Sequence, residues 1–104
     1  MQMDEMTRAI AKYPNKTGLV IKMANGSIIT GIIDTMYEDD NLYEDSEHFD
    51  EYYSTVICLT EDYMLPTGEL KKTGELTEIN YHMPIKQIEL FDGTVIWSAN
   101  QIDK

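Results

Sequence analysis

Asn25-Gly26 sits between two runs of strand-forming residues, Leu19 to Ala24 and Ser27 to Tyr37, and this arrangement limits the chain more than any other feature of its sequence. An Asn-Gly step closes a two-residue type I′ hairpin because both residues tolerate positive φ, so the flanking runs are predicted to be adjacent antiparallel strands. Gly31 lies inside the second run. A glycine weakens a strand unless the chain must bend there, and a small closed barrel requires such a bend.

The remaining segments add parts that suit a barrel. Asp4 reads as the N-cap of a short helix over 4–12, with Met3, Met6, Ile10 and Tyr13 on one face and Pro14-Asn15 ending it. Strands are predicted at about 19–24, 27–37, 53–60, 77–91 and 94–98, with Pro84 marking an edge or kink and Asp92-Gly93 turning the chain before the last strand. Thr67-Gly68-Glu69-Leu70 and Thr73-Gly74-Glu75-Leu76 flank Lys71-Lys72 and read as two arms of a turn region, since repeat architectures need periods of about 20 residues or more. A chain of 104 residues is one domain's worth, 1–104. The expected architecture is mainly β, a small strongly bent barrel of five or six strands with a short N-terminal helix.

The whole net charge belongs to the middle of the chain. Nineteen acids against eight Lys and Arg give a net charge of −11, and twelve of the acids fall between Met23 and Leu70, where there is no Lys or Arg. The densest part, 38–52, reads as a solvated acidic loop, because such a run repels itself. Its aromatic residues offer area for a partner to cover. The candidate partner-binding residues are therefore Tyr43, Glu44, Asp45, Phe49, Asp50, Tyr52 and Tyr53. An acidic surface argues against phosphate-rich or anionic-lipid partners. The N-terminus Met1-Gln2-Met3-Asp4-Glu5 lacks the basic and apolar regions of a signal peptide, and a single cysteine, Cys58, asks for no oxidising compartment. The expected location is cytoplasmic.

The segment from Met23 to Leu42 resembles the first motif of Sm and Sm-like proteins. It has a strand, an Asn25-Gly26 turn, Gly31 five residues on in a bent second strand, and Asn41-Leu42 after it. Phe91-Asp92-Gly93-Thr94-Val95-Ile96 loosely resembles the second motif. The resemblance implies an SH3-like or Sm-like barrel whose motif residues are Asn25, Gly26, Gly31, Asn41, Leu42, Asp92 and Gly93. It also implies RNA binding, with Asn41 at the matching first-loop position, but Asp92 stands where the family carries a cation. Glu38, Asp39 and Asp40 nearby would repel a phosphodiester.

Catalytic and metal signatures are missing from the sequence. Asp39, Asn41 and Tyr43 alternate, but Glu44 replaces the glycine that an EF-hand loop needs at its sixth position. His48, His82 and Cys58 are spread along the chain, and Cys58 lies in the apolar run Val56-Ile57-Cys58-Leu59, as a buried inert thiol would. Trp97, with Val95 and Ile96, is expected to close the core. No metal, cofactor or enzymatic activity is expected. The function read from these residues is a non-enzymatic protein-binding or assembly module, using strand edges and the Tyr-rich acidic loop, with homo-oligomers formed through edge strands. Two alternatives are an acidic mimic of nucleic acid that inhibits a DNA- or RNA-handling protein, and Sm-like RNA binding.

Overall fold

The computed structural model describes residues 4–40, 51–65 and 67–99. One helix, α1 (Glu5–Ala11), precedes eight strands: β1 (Gly18–Met23), β2 (Ile28–Asp40), β3 (Glu51–Leu59), β4 (Tyr63–Met64), β5 (Leu70–Lys71), β6 (Leu76–Ile79), β7 (Ile85–Leu90) and β8 (Val95–Ser98). Asp4 caps α1, its carboxylate accepting from the Thr7 backbone N–H and the Thr7 hydroxyl, both at 2.8 Å. Six strands form one sheet in the order β6-β3-β2-β1-β7-β8, and β4 and β5 form a separate ribbon. Every pairing is antiparallel.

This sheet corrects the expected Sm-like or SH3-like barrel. β6 and β8 are its two free edges and do not pair with each other, so the sheet is open rather than closed. The single strand expected at 77–91 is the main source of the error. Pro84 has no N–H for a ladder, and the chain leaves the sheet at Asn80 to re-enter at Ile85; β6 lies beside β3, whereas β7 lies beside β1. What closes the interior is α1, which lays Met6, Thr7 and Ile10 against a core of Leu19, Ile21, Met23, Ile29, Ile33, Ile57, Leu59, Tyr63, Ile79, Ile85 and Ile88. Trp97 is half-buried against this cluster.

The turns also differ in detail from the expectation. Among the described non-glycine residues only Lys16 has positive φ, so Asn25 does not adopt the type I′ conformation. The Gly26 N–H donates to the Met23 carbonyl and the Met23 N–H to the Ser27 carbonyl, with Gly26 at φ 94°. This is a three-residue hairpin loop ending on a left-handed glycine. Leu90 to Thr94 repeats it: the Gly93 N–H donates to Leu90, the Leu90 N–H to Thr94, and Gly93 also has φ 94°. Asn25 and Asp92 play one part in the two turns, their side-chain oxygens accepting from the N–H groups of Ser27 and Thr94 at 2.9 Å.

Gly31 is a glycine for want of space rather than for a bend. A Cβ there would stand 2.5 Å from the Cys58 carbonyl oxygen and 2.5 Å from the Cγ2 of Ile57. The sheet's irregularity in β2 lies two residues later, where a bulge between Ile33 and Thr35 shifts the register with β3.

Candidate functional site

β2 and β3 continue past the rest of the sheet. β1 pairs with β2 only as far as Gly18↔Ile32, and β6 with β3 only as far as Ile79↔Thr55, yet the β2–β3 ladder runs on to Asp40↔Glu51. Residues 36–40 and 51–54 are therefore a two-stranded acidic arm. Glu38, Asp39, Asp40, Glu51 and Tyr52, expected in a loop, are strand residues. The last described pair of this ladder is Asp40↔Glu51.

Aromatic side chains gather at the root of the arm. Tyr37 on β2 donates from its hydroxyl to Glu78 on β6 at 2.5 Å, passing over β3. Tyr37 pairs with Ser54, whose side chain is fully buried and whose Oγ has no hydrogen-bond partner among the described residues. On the neighbouring connection the His82 ring lies 4.6 Å from Tyr52 in an edge-on contact and 4.2 Å from Tyr81. Asn80 fixes this connection by accepting from the His82 N–H at 3.0 Å. Beside Glu78 an open groove of about 420 Å³ is lined by Val56, Lys71, Leu76, Thr77 and Glu78.

The expected residues divide in three. Tyr52 and Tyr53 are half-buried on β3 within the arm. Tyr43, Glu44, Asp45, Phe49 and Asp50, with Asn41 and Leu42 of the Sm-like motif, lie outside the described residues. The remaining motif residues form no common site. Asn25-Gly26 follows the end of β1 and Asp92-Gly93 follows the end of β7, and because these strands are antiparallel the two turns lie at opposite ends. Asp92 occupies its position as a turn residue: the N–H of Thr94 holds its carboxyl below the usual carboxylate range.

Sequence reading missed Tyr37, Ser54, Glu78, Tyr81 and His82. The run Asn80-Tyr81-His82-Met83-Pro84 carried a usable signal, an Asn two residues before an aromatic in a turn that ends on proline. Cys58 is also placed differently from its expected burial in the core. It is half-buried on the face opposite Ile57 and Leu59, with its thiol 3.8 Å from the Gly74 carbonyl. Among the described residues no group of three or more His, Cys, Asp or Glu is disposed to hold a metal ion.

The two sheet edges bear on the self-association expected there. At β6 the Lys71 ammonium donates to the Leu76 carbonyl at 3.2 Å, and at β8 a bulge interrupts the pairing with β7. Both features discourage the addition of another strand.

Residues 1–101 match the family described as cognate immunity protein YxxD. The chain belongs to this family. No curated protein and no solved structure matches it. Membership replaces the resemblance to Sm and SH3-like proteins, which covered about twenty residues well where the family covers nearly the whole chain. An immunity protein of this family acts by binding a protein partner and not by catalysis.

Proposed function

We propose that this immunity protein neutralises a cognate toxin by direct contact, using the acidic β2–β3 arm and the aromatic group at its root. The observation that carries this reading is the continuation of the β2–β3 ladder past the rest of the sheet, where exposed Glu38 and half-buried Tyr52 and Tyr53 lie on two strands that no third described strand supports. An acidic stretch of sequence on such an arm attracts a cationic surface. Tyr37, Tyr52, Tyr81 and His82 supply large, partly ordered side chains beside the charges, the residue types that carry most binding energy at protein interfaces. The toxin surface that fits is one with Lys and Arg around an apolar centre.

The test is binding of the cognate toxin to the wild-type chain and to Glu38→Lys and Tyr52→Ala variants. Glu38→Lys is expected to slow association at low salt with little change in the dissociation rate, and Tyr52→Ala to speed dissociation. Wild-type binding whose association rate ignores ionic strength, together with unchanged kinetics in both variants, would remove the arm from the interface.

A further inference from the structure

The strand register assembles an apolar row on the sheet face that α1 leaves uncovered. Buried residues of β1 alternate as Leu19, Ile21 and Met23, which face the core with the helix, so Gly18, Val20 and Lys22 face the other way. From Gly18 the pairs run Gly18↔Ile32, Ile32↔Cys58 and Cys58↔Leu76. On the other side of Gly18 the Phe91 ring closes over it, so near that a Cβ would stand 2.4 Å from a ring carbon. Phe91, in the turn that follows β7, and Gly18, Ile32, Cys58 and Leu76 on β1, β2, β3 and β6 thus form one line, about 19 Å long at the usual strand spacing. Its two ends are more than half exposed, Phe91 at 55% and Leu76 at 53%. An outward face of an antiparallel sheet is ordinarily polar, and this line is not.

We infer that this row is the seat of an apolar ridge on the cognate toxin, flanked by basic side chains on the side of the arm. The inference rests on the toxin-binding reading and names the surface on which the partner lies. Charge decides the occupant. Tyr37 and Glu78 belong to the same face, and the acidic arm begins next to the row; on its other side the cation Lys22 is already engaged, its ammonium 2.8 Å from the Glu89 carboxylate. A second copy laid face to face would bring together two chains that each carry a net charge of −11. A ridge with Lys or Arg along one side meets both the apolar row and the acids beside it. The groove between Leu76 and Val56 takes the ridge's end.

The experiment compares toxin binding by the intact protein, by Glu38→Lys, and by Leu76→Ser and Phe91→Ser, each variant checked by its thermal melt. Both serine variants alter exposed side chains, and each is expected to weaken binding about 10- to 100-fold through faster dissociation. Alkylation of Cys58 by iodoacetamide, in the middle of the row, is expected to slow at least about tenfold in the complex. Undiminished affinity in both serine variants with unchanged Cys58 reactivity overturns the row as the seat while leaving toxin binding intact. Absence of binding by the wild-type protein overturns the functional reading itself. Concentration-dependent Cys58 protection in the protein alone assigns the row to a second copy and also overturns the inference.

Discussion

The Tyr37 hydroxyl is bonded to the Glu78 carboxylate at 2.5 Å, tying β2 to β6 although the two strands are not neighbours in the sheet. Tyr37→Phe removes the donor and leaves an exposed carboxylate that water can serve. The expected loss is about 1 kcal/mol of unfolding free energy, since hydrogen bonds to charged groups contribute more than neutral ones but this one is solvent-accessible. Urea denaturation of the two proteins at neutral pH measures it.

Ser54 lies at the paired position beside Tyr37, fully buried with its Oγ unbonded among the described residues. A buried hydroxyl without a partner carries a desolvation cost that alanine does not. Ser54→Ala is therefore expected to leave stability unchanged or to raise it by up to about 1 kcal/mol. A clear fall in the urea midpoint would mean that the hydroxyl has a partner in solution.

Gly31→Ala is expected to be the most damaging of the small substitutions. The added carbon would meet the backbone carbonyl of Cys58, which cannot swing aside as a side chain can, and the strands would have to part. Overpacking of this kind costs about 1–3 kcal/mol, and the thermal midpoint reads it directly.

Stability should fall on acidification through a defined set of carboxylates. Asp62 is held below the usual carboxylate range first by the Thr73 backbone N–H, Glu89 first by its bond to Lys22, and Asp92 first by the Thr94 N–H. A folded pKa below the unfolded one contributes stability that is complete above the ordinary carboxylate pKa of about 4 and is lost as pH falls through the lowered folded values. Melting curves between about pH 6 and pH 2 are expected to show that decline, with a shallower slope in the Asp62→Asn, Asp92→Asn double variant.

Local features were legible in the sequence where one or two residues decide them. Asp4 announces α1, and Asn25-Gly26 and Asp92-Gly93 announce the two turns. The turn type escaped because a left-handed glycine and a side-chain acceptor suffice without the second positive φ that Asn25 was expected to supply. Gly31 was visible as an anomaly, but its cause, the Cys58 carbonyl, is 27 positions away in the sequence. The open sheet was illegible for the same reason. Whether β6 meets β8 depends on pairings between distant segments, and Pro84 gives no sign of which strand β7 will join. The candidate site was half legible: the run of acids was plain, whereas Tyr37 and Glu78 are 41 residues apart and only folding brings them together.

The overhang of β2 and β3 separates two demands usually made of the same residues. Beyond Thr35 and Thr55 the ladder has no third strand among the described residues, and apart from Met36 at its root the side chains that form the core, from Ile10 to Ile88, lie elsewhere. An exposed overhang position such as Glu38 can therefore change with little effect on the melting point, whereas Met36 and Tyr37 at the root also hold the fold. If the arm meets the toxin as proposed, a lineage confronted by a changing adversary can vary those exposed positions without first acquiring spare stability.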